Sequence, residues 1–396
     1  MQEIKIIYAS SAMSEEDFSA LFKNSEHIPG QQAQKFNRLM LRGFGKNGAA
    51  VTALTSPPIT KKNHKKVFTA IPKRKTENVC YRYLPVVNIK GAKNLIILAS
   101  SFAHTFFSSL FRKTAVVCDI LNVSVAMGAV TAGRMLGKPC IGIVTDIPEL
   151  MVTGHTEKQV KWCYNIIKKC TGYVFLTEPM NDRLNPENKP YVIVEGVCDE
   201  TLYPNATDEA RHTNNSGLHC FYAGLLDEEY GVKAMVDGFL LADIPESQLT
   251  VCGKGPYEGE LKQIAAEHDN VTYLGVIMND RVVQLEKEAA LLINPRPSAG
   301  EFTMYSFPSK NMEYMTSGTA VLGAKLPGMP KDHHPHMYLL EDESAEGIAN
   351  ALKKINALPK EEVWEKGKRA REFVLREKNS VKQAEKVLGL IEKLQG

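Results

Sequence analysis

At 396 residues the chain is too long for one ordinary core, and two domains of roughly 100–200 residues each are the leading count. A hydrophobic content of 44% beside 23% charged residues excludes disorder as the default state. The net charge of +3 conceals an asymmetry: residues 1–200 hold 26 Lys and Arg against 16 Asp and Glu, and residues 201–396 hold 22 against 29.

In the first half, β-branched and apolar runs alternate with helical spacing. Strands are expected at residues 4–9, 49–54, 115–120, 140–145, 173–176 and 191–195, and helices at 31–43, 123–136 and 157–170. Residues 199–217, DETLYPNATDEARHTNNSG, are polar and nearly free of core side chains. They suit a linker, placed at 198–217 between domains 1–197 and 218–375. The alternation then restarts, with strands at 220–223, 249–252, 271–274, 290–294 and 320–323 and helices at 232–241, 258–266, 280–289 and 309–317. Helical stretches at 360–376 and 380–394 finish the chain, and 376–396 is expected to pack back on the first domain. The fold class implied is α/β, two doubly wound Rossmann-like domains facing across a cleft, with parallel sheets covered on both faces. Ligands bind outside the carboxyl ends of such strands.

Between residues 61 and 113, twelve basic residues meet one acid, Glu77. Such a patch attracts phosphate-bearing partners or an anionic membrane surface, although a solvated face has the same composition. No run of about 20 apolar residues is present to cross a bilayer. Residues 95–111, LIILASSFAHTFFSSLF, are broken by serines and His104, and belong either on a bilayer surface or in a buried helix. The eight cysteines form no Cys-x-x-Cys pair and several sit in apolar runs, as in a reduced, cytoplasmic protein. No basic leader with an apolar signal core precedes the first strand.

Residues 293–330, INPRPSAGEFTMYSFPSKNMEYMTSGTAVLGAKLPGMP, carry the densest chemistry. A strand ends at Asn294, a loop follows, and Pro308 and Ser309 suit a helix start by fixed φ and hydroxyl capping. A helix N-terminus with unpaired N–H groups suits a diphosphate, and Arg296 and Lys310 add charge-assisted bonds. Glu313, one turn on, can accept the two hydroxyls of a ribose. Taken singly, each residue also fits a plain capped helix with solvated side chains.

The whole string resembles the donor segment of the retaining glycosyltransferases with the two-domain B-type fold, the large family 4 group (glycosyl transferases group 1). Glu313 to Gly318 is similar to the end of that family's two-glutamate motif, and Ser306-Phe307-Pro308 to its preceding loop. The first glutamate falls at Tyr305, a departure, with Glu301 nearby. Phe221 to Leu225, then Tyr230-Gly231, resemble the family's strand–loop–helix opening, with Gly224 at the turn. The expected Arg and Lys there are replaced by Leu225 and Tyr230, which moves the phosphate role to Arg296 and Lys310. Gly253-Lys-Gly255-Pro256 resembles the turn that admits the nucleotide, and Val276 follows the strand that borders the base. The resemblance implies donor contacts at Gly224, Gly253, Val276, Arg296, Tyr305, Ser309, Lys310 and Glu313.

In the first domain, Asp146 matches the family's Asp at the end of the strand at 140–144, while Thr145 replaces its His. Asp146 is a candidate to orient or deprotonate an acceptor hydroxyl, and an Asp capping a turn is the plain alternative. Asp119 and Asn122, after another strand, are comparable candidates, and Glu301 is the second catalytic carboxylate considered. His333, His334 and His336 lack zinc-site spacing, and there is no Asp-x-Asp, so no metal or other cofactor is expected.

The resemblance implies transfer of a sugar from a nucleoside diphosphate to a sugar or lipid-linked acceptor hydroxyl, with retention, in bacterial surface polysaccharide or glycolipid synthesis. The setting would be cytoplasmic, with peripheral membrane contact and no nucleic-acid partner. Two alternatives stay open: a nucleotide-sugar epimerase of the same fold, and a non-catalytic partner subunit, suggested by Leu225, Tyr230, Tyr305 and Thr145.

Overall fold

The computed structural model describes residues 4–76, 78–151, 156–203 and 217–395, without the side chains of 31 and 32. The chain divides into two compact units, Met1–Val197 with Ser380–Gly396, and Cys198–Asn379. Most of the expected linker, residues 204–216, lies outside the described residues.

The first unit begins with β1 (Lys5–Ser10), α1 (Glu15–Phe22), α2 (Gln31–Lys46) and β2 (Ala50–Thr55). The short strands β3 (Phe68–Thr69) and β4 (Arg74–Lys75) lead to β5 (Val79–Tyr83), β6 (Val86–Val87) and α3 (Ala92–Ser109). There follow β7 (Thr114–Asp119), α4 (Val123–Met135), β8 (Cys140–Val144), α5 (Glu157–Lys169), β9 (Gly172–Phe175), α6 (Glu178–Leu184) and β10 (Tyr191–Ile193). Eight of these strands form one sheet in the order β10-β9-β8-β7-β1-β2-β5-β4, parallel except for β4 on β5. β3 and β6 pair separately and antiparallel.

The central strands β7 and β8 are buried along their whole length because helices cover both faces. On one face Ile6, Tyr8 and Val117 pack with Met40, Leu41 and Phe44 of α2 and with Val387 and Ile391 of the chain's final helix, Ser380–Lys393. On the other face α4 lies on Val116, and α3 lies on α4 so closely that a Cβ at Gly128 would sit 2.4 Å from the Leu98 carbonyl oxygen. The apolar stretch at 95–111 thus forms most of a helix that is neither wholly buried nor wholly exposed. Ile97, Ser101, Thr105 and Ser109 point inward, while Leu95 and Phe107, and Phe111 just beyond the helix, are exposed.

The second unit runs β11 (His219–Leu225), α7 (Val232–Ala242), β12 (Gln248–Lys254), α8 (Glu258–Glu267), β13 (Val271–Tyr273), α9 (Asn279–Glu288) and β14 (Leu291–Asn294). It continues through α10 (Glu301–Met304), α11 (Ser309–Ser317), β15 (Ala320–Ala324), β16 (Tyr338–Leu340), α12 (Ala345–Asn356) and α13 (Lys360–Glu377). Its sheet, β13-β12-β11-β14-β15-β16, is parallel throughout. Elements beyond those expected from the sequence include α1, β5, α6, β16 and α12.

Candidate functional site

The carboxyl ends of β11, β12 and β13 are stitched together at glycines. Gly253 donates its N–H to the Gly275 carbonyl at 2.9 Å, and Tyr273 donates its hydroxyl to the Gly253 carbonyl at 2.9 Å. Gly253 has φ +135°, and a Cβ there would lie 1.8 Å from the Gly224 carbonyl oxygen, so only glycine fits. Gly224 and Gly253 therefore adjoin on neighbouring strands. Val276, in the loop after β13, is 72% exposed.

A second close approach joins the loop after β11 to the loop after β14. Gly231, at φ +77°, would place a Cβ 2.1 Å from the Pro295 carbonyl oxygen. That contact brings Tyr230 beside Arg296. The guanidinium lies between two rings, 5.1 Å from the Tyr230 centroid and 4.8 Å from that of Phe302 in α10. Tyr230, which occupies a position where a cation was expected, thus helps to hold one. Cation–π contacts contribute about 0.5–2 kcal/mol each, more as they lose water. The loop is further tied by Ser298, which donates its N–H to Glu343 at 2.8 Å, and by the Thr303 hydroxyl, which donates to the Ser298 carbonyl at 2.7 Å.

α11 starts beside the end of β14, where the Asn294 amide donates to Asn311 at 2.6 Å. Ser309 is the first residue of the helix, so the capping position falls to Pro308, which makes no side-chain cap bond. Lys310 and Glu313, expected to serve phosphate and ribose separately, pair with each other at 3.0 Å. Burial pulls the Lys310 ammonium down, but the carboxylates of Glu313 and Glu286 more than offset it, and its pKa is raised. Glu286 of α9 escaped notice in the sequence. It is buried, accepts a hydrogen bond from the Tyr203 hydroxyl, and adds negative charge behind Lys310. Glu301, the first residue of α10, and Ser309 are exposed, while Tyr305 and Glu313 are half-buried. A cavity of about 480 Å³ in this unit lies at the other edge of the sheet, where Leu218, Ala290 and Ala320 begin their strands. It is not part of this constellation.

In the first unit the carboxyl ends of β7 and β8 carry Asp119 and Asp146. Asp119 is buried and accepts hydrogen bonds from Asn37 (3.2 Å), from the Leu121 N–H (3.1 Å) and from Asn122 (2.5 Å). Burial nonetheless pushes its carboxyl up to about 6, opposed by those donors and aided by the charge of Asp146. Asn37 in turn accepts from the Tyr8 hydroxyl at 2.6 Å. Asp146 is exposed. A cavity of about 640 Å³ lies at this edge, lined by Ser56, Asn122, Lys158 and Trp162 and by the starts of α3 and α4. Asp146 is not among its walls.

One member of the basic stretch is already spent: Arg74 pairs with Asp17 at 2.6 Å and with Glu16, holding the Asp17 carboxyl down at about 2. Lys61, Lys62, Lys65, Lys66, Lys73 and Lys75 are exposed. Of the histidines at 333–336, His333 is buried with Nδ1 2.9 Å from Asp332, and His336 stacks on Phe373. No described helix is long and apolar enough to cross a membrane.

The family described as glycosyl transferases group 1 matches residues 218–357, the stretch that holds the glycine turns, Arg296, Lys310 and Glu313. Solved structures share the fold over the whole chain. A sucrose-phosphate synthase from Thermosynechococcus elongatus superposes with a TM-score of 0.64 at 16% identity, covering 99% of each chain. A UDP-forming α,α-trehalose-phosphate synthase from Burkholderia xenovorans gives 0.66 at 11%, covering 100% of both. The catalytic domain of starch synthase IV from Arabidopsis thaliana, bound to ADP and acarbose, gives 0.65 at 12%, covering 99% of each. No curated protein sequence matches the chain.

Proposed function

Because the chain carries a group 1 glycosyltransferase domain at residues 218–357 on a glycosyltransferase fold, we propose that it moves a sugar from a nucleoside-diphosphate donor to an acceptor hydroxyl, with retention at the anomeric carbon. The observation that carries this reading is that the loop after β14 holds Arg296 against two rings while α11, which starts beside the end of β14, pairs Lys310 with Glu313, and that glycine turns at neighbouring strand ends let a ligand approach backbone. Glu313 accepts the two ribose hydroxyls. On binding, Lys310 exchanges Glu313 for the diphosphate, and Arg296, already held between two rings, takes the same group. The N-terminus of α11 adds its dipole.

The chemistry is departure of the diphosphate from an oxocarbenium-like centre, as in glycoside cleavage. The cations stabilise the charge that develops on the leaving group. Asp146 in the first unit and Glu301 in the second are the carboxylates proposed to orient the acceptor hydroxyl and the donor sugar, with Gly224, Gly253, Val276, Tyr305 and Ser309 completing the donor contacts. The diphosphate charge is met by these cations rather than by a metal, so turnover persists in a chelator. The acceptor is proposed to be a sugar or lipid-linked sugar of a surface polysaccharide or glycolipid, met at an anionic membrane surface.

UDP and ADP sugars are the first donors to try, since UDP-forming and ADP-bound enzymes share the fold. Release of the nucleoside diphosphate from the matched sugar donor, with and without EDTA, tests the reading. Release that persists in EDTA is expected. No release from any donor would refute transfer, and activity restored only by magnesium or manganese would refute its metal-free form.

A further inference from the structure

Helix α3 differs from an ordinary surface helix in what it buries and what it leaves exposed. Its buried stripe, at a spacing of four, is Ile97, Ser101, Thr105 and Ser109, and the Ser101 hydroxyl donates to the Val125 carbonyl of α4 at 2.7 Å. Of its large apolar side chains, Ile97 is buried and Ile96, Leu98, Phe102 and Phe106 are half-buried, but two turn outward: Leu95 is 66% exposed and Phe107 76%, with Phe111, just past the helix end, 92%. The adjoining β3–β6 ribbon exposes Val67 and Phe68, and Ile89 follows it. An amphipathic helix in water hides its apolar stripe, and exposed patches of this kind mark contact sites.

Beside this strip a cavity of about 590 Å³ opens between α3 and the sheet, walled by Lys5, Arg82, His104 and Arg112, with Phe107 at its rim. Strand alternation explains the charge. Lys5 of β1 and Arg82 of β5 project on the face that α3 only partly covers, whereas Ile6, Tyr81 and Tyr83 fill the opposite core. Among the described residues no carboxylate forms an ion pair with Lys5, Arg82 or Arg112. These groups act on one another: burial, then Arg112, lowers the Lys5 ammonium, and burial, then Arg82 and Lys5, holds the His104 imidazole down at about 4.

We propose that this cavity binds the phosphate of an anionic membrane lipid, with Phe107 and Phe111 entering the interface beside it. The inference deepens the membrane part of the proposed setting and rests on that part, but not on sugar transfer. Charge complementarity selects the occupant: three unpaired cations call for an anion, and the aromatic rim calls for an anion attached to apolar chains. A soluble anion would leave the rim in water.

The test is cosedimentation with vesicles of phosphatidylcholine alone and of phosphatidylcholine with phosphatidylglycerol, with diphosphate binding by the second unit followed in parallel. The wild-type chain is expected to bind only the anionic vesicles. Arg82→Ala with Arg112→Ala should reduce that binding at least tenfold, since each cation near the surface is worth roughly fivefold. Ala103→Phe fills the cavity without changing charge and should also release the protein, which separates a defined site from diffuse attraction by the lysines of the 61–75 segment. Phe107→Ser with Phe111→Ser should weaken binding without abolishing the preference for anionic lipid. Equal recovery from both vesicle types by the wild type would overturn the proposal. So would retained binding by both the arginine pair and Ala103→Phe, or full competition by inorganic phosphate. Intact diphosphate binding in any of these cases leaves the transfer reading standing.

Discussion

Arg296 and Lys310 in the second unit are each held by a neighbour, the first between Tyr230 and Phe302 and the second against Glu313. Lys5, Arg82 and Arg112 in the first unit share one cavity wall and have no described carboxylate in ion-pair range. The first group is two cations, one of them paired with a carboxylate, and the second is three with no such partner among the described residues. A cation fixed by its surroundings is pre-organised for one ligand geometry, as a reacting diphosphate requires. Cations that only repel one another favour an anion of looser geometry, as a lipid surface offers.

The largest effect expected from disturbing this contrast is at the backbone. Gly253→Ala forces a Cβ against the Gly224 carbonyl at a φ that other residues avoid, and should cost about 3 kcal/mol or more. Denaturant unfolding should show the loss in the second unit, with protection by nucleoside diphosphate abolished. An unchanged midpoint would mean that these strand ends are not joined as described.

The first unit offers a pH test of similar size. The Asp119 carboxyl, pushed up to about 6 in the folded chain, titrates near 4 when unfolded. The folded state therefore favours the neutral acid. The contribution of Asp119 to stability is greatest below about pH 4, falls as pH rises to about 6, and levels off beyond it, by about 2–3 kcal/mol in all. Asp119→Asn should flatten that slope in thermal melts between these pH values. A slope that survives the substitution would assign it to another group.

Next in size is Glu313→Gln, which should weaken nucleoside diphosphate binding by about 1–3 kcal/mol and leave the fold intact. Unchanged affinity by calorimetry would remove Glu313 from the ribose. Smallest is Tyr230→Ala, which takes one ring from Arg296 and should weaken diphosphate binding, but not nucleoside binding, by about 0.5–2 kcal/mol. Equal losses for both ligands would mean that the ring serves the loop and not the cation.

The strands and most helices were legible because β-branched runs and 3.6-residue spacing are local signals. The end of α11 was legible because a left-handed glycine leaves a local pattern. Gly318 does end α11, at φ +80°. α12 was legible in principle, since Ile348, Leu352 and Ile355 share one face behind the Ser344 cap, yet the reading passed over it. What the sequence hid depends on partners far along the chain. Glu286 reads as one more acid in the polar helix α9, and only the fold buries it against Tyr203, 83 positions away. Tyr230 reads as a lost cation until Gly231 brings it to Arg296. Arg74 reads as one of a row of basic residues, although Asp17, 57 positions earlier, has already claimed it. The serine stripe of α3 gave no warning that Phe107 would face outward, because the direction of that helix is set by its close fit to Gly128.

The central claim is that Arg296, Lys310 and Glu313 form a nucleoside-diphosphate site. Its most direct test is calorimetric titration of the wild-type chain and of Arg296→Ala with UDP, with ADP and with the matching nucleosides. The account predicts that one diphosphate binds at least tenfold more tightly than its nucleoside, and that Arg296→Ala removes most of this difference while nucleoside affinity holds. Equal affinity of the wild type for diphosphate and nucleoside, or a difference untouched by Arg296→Ala, would contradict it.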